Sequence, residues 1–112
     1  MASSKEYLNF VLDQLSGLEG IKYRPMMGEY LLYCRGKVVG GVYDDRLLIK
    51  PLPSALRVLE ESGREWGREF PYEGAKEMLA ADPDDRELVR RVIEAAAGDL
   101  PEKRRKNAQK TL

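Results

Sequence analysis

Basic side chains flank a glycine in the segment RPMMGEYLLYCRGK, which predicts a β-hairpin. Arg24 suits bidentate contact with a carboxylate or a phosphate. With the backbone of Gly28 and the ammonium group of Lys37, it would form a basic rim for an acidic group of a protein partner. The simpler interpretation is a turn, in which Met26 and Met27 fill gaps in the core and Gly28 supplies a positive φ. We prefer the turn and keep Arg24, Gly28 and Lys37 as candidate partner-binding residues.

Cys34 is the single thiol of the chain and the one candidate for a cysteine nucleophile. Arg35 and Lys37 would stabilise a thiolate there if the side chain were exposed. Neighbours along a strand point to opposite faces, however, so these cations do not face the sulfur. The simpler prediction is a small, buried and inert thiol. Histidine is absent, which removes the commonest general base.

Two acidic doublets and a set of glycines are the remaining candidates for metal or phosphate binding. Asp44-Asp45 and Asp84-Asp85 stand where a turn and the first turn of a helix already favour aspartate. Neither doublet has the alternating spacing of a calcium loop. Gly36 and Gly40-Gly41 lack the G-x-x-x-x-G-K-[ST] pattern of a phosphate-binding loop. We therefore expect no metal, no cofactor and no enzymatic activity.

The C-terminal residues 101–112 are polar and basic and lack apolar periodicity, so we predict a disordered tail after a single domain of residues 1–100. Five basic residues stand against Glu102 in this tail, a charge of +4, whereas the whole chain is neutral. The tail is either a solubilising terminus or a weak, non-specific contact to nucleic-acid phosphates. The residues that would make that contact are Lys103, Arg104, Arg105 and Lys106.

The overall composition is that of a globular domain. A chain of 112 residues is long enough to bury one hydrophobic core, and 43% hydrophobic with 34% charged residues is unlike a disordered or fibrous protein. A net charge of zero argues against bulk nucleic-acid binding. No apolar run approaches the roughly 20 residues of a membrane span, and the first residues lack the apolar core of a secretory signal. We expect a cytoplasmic protein that does not bind membranes.

The hydrophobic spacing changes from helical to alternating and back, which predicts an α+β fold. A Ser3–Glu6 capping box and apolar residues at helical spacing predict a first helix that ends after Leu15. From Lys22 to Lys50, short runs of apolar and β-branched residues are separated by tight turns. Such short connections predict an antiparallel meander of about four strands, because parallel strands need longer crossovers.

The second half of the chain predicts a helix, two weaker strands and a last helix. The helix spans Ser54 to Glu61, and the strand candidates are Trp66–Phe70 and Lys76–Ala80. Asp82 as N-cap and Pro83 at the first helical position predict the start of the last helix. The element order is therefore α-β-β-β-β-α-β-β-α, a two-layer sandwich of an antiparallel sheet and helices. We expect its core to join Leu12, Leu32 and Val92.

The segment from Arg24 to Tyr30, RPMMGEY, together with the Gly36-Lys37 turn and the run VYDDRL, resembles the N-terminal domain of the TfoX/Sxy family. In that family an Arg-x-Met-x-Gly segment precedes a strand, a Gly-Lys turn and a strand that ends in an acidic turn. The resemblance covers roughly residues 4 to 100 and is strongest between Arg24 and Lys50.

The resemblance implies a secretion-chaperone-like fold that often forms homodimers, and a non-enzymatic regulatory or protein-interaction role. The family's eponymous members regulate genes for natural competence and carry a second, helical domain where this chain has its basic tail. What the resemblance implies for this chain is the fold and the binding of an unidentified protein partner. The alternative function is a nucleic-acid-associated factor that uses the basic tail.

A homodimer is also expected from the run VVGGVY, which carries no charge between Lys37 and Asp44. If this strand lay at or near an edge of the sheet, its unpaired backbone groups would invite pairing with another chain. Gly40 and Gly41 would permit the close approach of that second backbone. A twofold contact would then cover the edge. If Val38 to Tyr43 were instead a central strand paired on both sides, the protein would be a monomer.

Deletion of residues 101–112 should leave the melting temperature nearly unchanged, because the tail holds nothing that a core could bury. The same deletion should abolish any weak binding of DNA, because it removes the +4 charge. Thermal unfolding and the fluorescence anisotropy of a labelled DNA duplex at several salt concentrations measure the two effects. An unchanged affinity and salt slope after truncation would rule out the electrostatic role of the tail.

Overall fold

An antiparallel sheet of six strands packs against three helices in a computed structural model that describes residues 3–100. This confirms the predicted α+β class and element order. The elements are α1 (Lys5–Gln14), β1 (Ile21–Met26), β2 (Glu29–Cys34), β3 (Lys37–Val42), β4 (Leu47–Ile49), α2 (Pro53–Ser62), β5 (Arg68–Glu69), β6 (Met78–Ala80) and α3 (Arg86–Gly98).

The strand order is β1-β2-β3-β4-β6-β5, and every neighbouring pair is antiparallel. Strand β3 pairs with β2 on one side and with β4 on the other, so it lies inside the sheet. The edge alternative for Val38 to Tyr43 is therefore wrong, and the alternative of a central strand paired on both sides is confirmed. The close approach that Gly40 and Gly41 permit serves the neighbouring strands of the same chain. Dimerisation itself stays a prediction, without support from this strand.

The two real edges of the sheet are poor templates for pairing. Strand β1 is exposed along Lys22 to Pro25, and proline lacks the N–H that an added strand would need. Strand β5 at the other edge has only two residues, Arg68 and Glu69. Short or proline-containing edges with charged side chains oppose edge-to-edge association.

Three two-residue turns join the first four strands. In each turn both central residues have positive φ, as in the type I′ turns whose twist matches that of a hairpin. The β3–β4 turn is closed by hydrogen bonds between the Tyr43 and Arg46 backbones, at 2.9 and 3.0 Å. The central residues of the three turns are Met27 and Gly28 (φ 51° and 85°), Arg35 and Gly36 (54° and 80°), and Asp44 and Asp45 (52° and 56°).

The main core lies between the helices and one face of the sheet. Leu32 and Val92 are buried there, and the half-buried Leu12 packs against the same cluster, as predicted. Six side chains of α3 are buried, more than from either other helix. None of the helices within residues 3–100 is long and apolar enough to cross a membrane.

The N-cap of α1 is Ser4, and the prediction that Ser3 fills this role is wrong. The Ser4 hydroxyl accepts from the Tyr7 N–H at 3.0 Å. Ser3 is buried and turns the other way: its hydroxyl donates to the Glu29 carboxylate at 2.6 Å and accepts from the Asp45 N–H at 3.1 Å. The Ser3 side chain therefore forms tertiary hydrogen bonds and does not cap the helix.

Helix α3 begins at Arg86, several residues after the start predicted at Asp82 and Pro83. The Asp82 carboxylate accepts from the Asp84 N–H at 3.0 Å and so closes a separate turn ahead of the helix. Asp85 occupies the N-cap position without a side-chain capping bond, because its carboxylate pairs with Arg64 at 2.7 Å. The prediction of Asp82 as the N-cap is therefore wrong, since Asp82 closes a turn and Asp85 stands at the N-cap position.

Met27→Asn should stabilise the protein by about 1 kcal/mol, because asparagine tolerates the left-handed conformation better than methionine. Met27 is 97% exposed, so the expectation that it fills a gap in the core is wrong, and the substitution removes little packing. Urea denaturation followed by tryptophan fluorescence measures the difference. Met26→Asn is the matched control, since Met26 is half-buried in the last position of β1 and should lose stability on the same change. A variant at residue 27 no more stable than the unmodified protein would contradict the strain argument.

Candidate functional site

A groove of about 580 Å³ opens on the face of the sheet that the helices leave uncovered. We call it the open-face groove. Its floor is formed by strands β2 and β3, and one wall is formed by the segment that precedes β6. The lining residues are Leu31, Val38, Gly40, Tyr43, Lys50, Pro51, Leu52, Pro71, Tyr72, Ala75, Lys76, Glu77 and Met78.

The groove exists because strand β2 is apolar on both faces. Leu32 belongs to the main core, whereas its neighbour Leu31 points to the other face and packs against a second, smaller cluster. That cluster is formed by Tyr43, Leu48 and Met78. Alternation along a strand places adjacent residues on opposite faces, so a strand with apolar residues at successive positions needs cover on both sides. The helices supply one cover, and the groove is the partly uncovered other side.

The wall of the groove is a loop held down by aromatic and proline side chains. Tyr72 lies with its ring centroid 6.4 Å from that of Tyr43, and Pro71 is buried beside it. The Ala75 N–H donates to the Tyr72 carbonyl at 3.1 Å and closes a turn. Tyr72 nevertheless remains 60% exposed, so its ring forms the rim of the groove.

Charged side chains around the groove are mainly basic. Lys50 and Lys76 line it, with Glu77 as the one acidic residue of the lining. The ion pairs found among residues 3–100 lie elsewhere and use only arginines, so both lysines are left without an anionic partner in the described part of the chain.

The structure does not bring the predicted rim of Arg24, Gly28 and Lys37 together. Gly28 lies in the turn at the Met26 end of the β1–β2 hairpin, whereas Lys37 pairs with Cys34 at the other end. Six residues of β2 separate the two ends, about 17 Å at the usual rise of a strand. The Lys37 ammonium group donates to the Ala97 carbonyl at 3.0 Å and so serves the C-terminus of α3.

Arg24 is exposed on β1, opposite Leu31 of β2. Opposed residues of an antiparallel pair share a face, so Arg24 lies on the groove side of the sheet. The one member of the predicted rim that shares a face with the groove is therefore Arg24. The candidate nucleic-acid contacts Lys103, Arg104, Arg105 and Lys106 lie outside the described residues.

Cys34 is fully buried in the main core, with its sulfur 3.9 Å from the Glu19 carbonyl oxygen. The prediction of a core thiol is confirmed. Within residues 3–100, no three or more acidic or cysteine side chains are placed to hold a metal ion. The groove itself offers an apolar surface, the ammonium groups of Lys50 and Lys76 and the carboxylate of Glu77.

Sequence reasoning missed the groove because its residues come from four separate segments of the chain. A signal was nevertheless present: the run LLY in β2 lacks the alternation of a strand with one solvated face. Pro51 and Pro71, which interrupt the strands and helices along the chain, both line the groove in the structure.

Burial raises the pKa of Tyr43 above its usual value of 10.0, and the nearby phenol of Tyr72 and carboxylate of Glu29 add to the effect. Burial, and after it the Asp45 carboxylate, also raises the pKa of Tyr7, a residue of α1. In both residues the folded protein favours the neutral phenol. Tyr43 therefore acts as an apolar wall of the groove with a hydroxyl that keeps its proton.

Comparison with known proteins links this chain to a domain family and to a relative of similar length. A model of the TfoX N-terminal domain family matches residues 13–97. A protein of Spirochaeta aurantia, described as an uncharacterized 12.7 kDa protein in the trpE 5' region, is 36% identical to this chain. The alignment covers 94% of this chain and 91% of the relative.

Tyr43→Phe should reduce the loss of stability at alkaline pH. With a raised pKa in the folded state, the phenol contributes stability that is full below about pH 10 and is lost as the pH rises through the folded pKa. Urea unfolding between pH 8 and 11 should therefore give a shallower decline for Tyr43→Phe than for the unmodified chain. Tyr7→Phe should act in the same direction, and the double variant should show the sum of the two effects. Parallel pH curves for all variants would contradict this account.

Proposed function

The chain belongs to the family of TfoX N-terminal domains, and we propose that it is a non-enzymatic regulatory domain that binds another protein through the open-face groove. The observation that carries this proposal is the groove itself, an apolar surface on the uncovered face of the sheet. Apolar patches left open on a folded domain are characteristic of interaction sites.

The lining of the groove suits a side chain of a protein partner. Leu31 and Val38 are half-buried on its floor, so further burial of their surface is available to a partner. Placing one leucine-sized or phenylalanine-sized side chain in such a groove contributes roughly 1.5 to 3 kcal/mol. One or two such anchors are the usual energetic centre of a protein interface.

Exposed aromatic side chains beside the groove support the same function. Phe70 is 55% exposed and Tyr72 is 60% exposed, and both belong to the segment that leads into the groove wall. Aromatic residues are enriched at interfaces, because they bury a large area at a low cost in conformational entropy. The neutral phenol of Tyr43 keeps the inner wall free of charge.

The second candidate function is that of a nucleic-acid-associated factor. The observation that favours it is the charge of +4 on residues 101–112, in a chain whose net charge is zero. Contacts of that kind are made to phosphates without sequence specificity and weaken steeply with salt. This role would use the tail and leave the open-face groove available to a protein.

Site-specific photo-crosslinking tests the proposed function. The photoreactive residue p-benzoyl-phenylalanine replaces Tyr72 on the groove rim, and in a matched control it replaces Phe10, an aromatic residue of α1 that is 38% exposed on the helical layer. We expect irradiation in cells that carry the gene to give a discrete protein adduct at position 72 and none at position 10.

Nuclease treatment of the same samples separates the two candidate functions. An adduct at position 72 that resists nuclease supports protein binding through the groove. Adducts that are equal at both positions, or that disappear with nuclease, would contradict it.

A further inference from the structure

We propose that the open-face groove binds an acidic peptide segment that carries at least one large apolar side chain. This inference rests on the proposed function and adds the chemistry of the partner. The apolar anchor would enter the groove between Leu31 and Met78, and carboxylates on either side of it would meet Lys50 and Lys76.

The charge of the groove argues for an acidic partner. Lys50 and Lys76 are the only cations of the lining, and neither forms an ion pair with any residue between 3 and 100. Lys22 and Arg24 are exposed on the groove side of the sheet, where Lys22 is the cross-strand neighbour of Tyr33 and Arg24 that of Leu31. Two lysines of the lining and two basic residues of β1 on the same face thus stand against two carboxylates, Glu77 in the lining and Glu29 near Tyr43.

The basic residues 101–112 are not the occupant that the groove favours. Their charge of +4 has the same sign as the charges of Lys50 and Lys76, so repulsion disfavours the tail there. The same two lysines would attract an acidic segment of another protein.

Two other occupants fit the groove less well. A second copy of the chain would bring the same lysines towards one another across a twofold axis. A single-stranded nucleic acid would find phosphate partners in the lysines but one exposed ring for stacking in the lining, that of Tyr72, because Tyr43 is only 6% exposed. An apolar lining with basic rims favours a peptide.

The test is a selection of random 12-residue peptides displayed on phage against the full chain. We expect enriched peptides to share a net negative charge and at least one large aliphatic or aromatic residue. A synthetic copy of an enriched peptide should lose about tenfold in affinity on the double substitution Lys50→Glu and Lys76→Glu, measured by fluorescence anisotropy. Its affinity for the unmodified chain should fall as salt is added.

The matched control is the double substitution Arg57→Glu and Arg91→Glu, which makes the same change in net charge at exposed positions of α2 and α3. It should leave the affinity unchanged. The variant with both groove lysines reversed should in turn select lysine-containing peptides. Circular dichroism confirms that each variant is folded.

The failures of the two proposals are distinguishable. Peptides without an acidic bias that lose affinity when Ala75→Trp fills the groove, but not when the lysines are reversed, would overturn this inference and leave protein binding through the groove in place. Lysine-dependent binding of fluorescein-labelled oligo(dT), with no peptide enriched, would assign the groove to nucleic acid and overturn both. Enrichment of no peptide and no binding of oligo(dT) would also overturn both.

Discussion

The pairing of the sheet depends on strand β3, which has two adjacent glycines, Gly40 and Gly41. A Cβ atom at Gly40 would collide with the backbone of Leu48 and Ile49 in β4, and one at Gly41 would meet the Tyr30 carbonyl in β2 and the ring of Tyr43. Both neighbours therefore approach β3 closely only because these two residues are glycines. The space above Gly41 is filled by the Tyr43 ring, which becomes the inner wall of the open-face groove. The same pair of glycines thus sets the pairing of the sheet and the shape of its exposed face.

The first half of the fold was predictable because it depends on the preferences of turn residues. The second half was less predictable because it depends on contacts between distant parts of the chain. The meander followed from turn residues such as Asp44 and Asp45, whose preferences act within a few residues. The insertion of β6 between β4 and β5 is a contact between distant segments, and no short pattern encodes it. Ser3 and Asp82 were recognised as polar capping residues, but hydrogen bonds to other parts of the structure or to a separate turn decided their roles.

The candidate site was harder to predict from the sequence than the fold. Arg24, Gly28 and Lys37 are close along the chain. Strand β2 nevertheless lies between Gly28 and Lys37, so these two residues are at opposite ends of the hairpin and are not neighbours in space. Leu31 and Met78, in contrast, are far apart along the chain and meet on one face of the sheet. A site built from several strands can be recognised only once the strand order is known. What the sequence did contain was the apolar character of both faces of β2.

The arrangement of the core has a consequence for how the protein is made in the cell. The hairpins between Ile21 and Ile49 pair segments that are neighbours along the chain, and such contacts form early in folding. The helix-facing side of these strands stays only partly covered until α3 is synthesised, since this last helix supplies six buried side chains of the main core. A message truncated before Arg86 would leave that apolar side exposed, so we expect its product to be bound by chaperones or degraded.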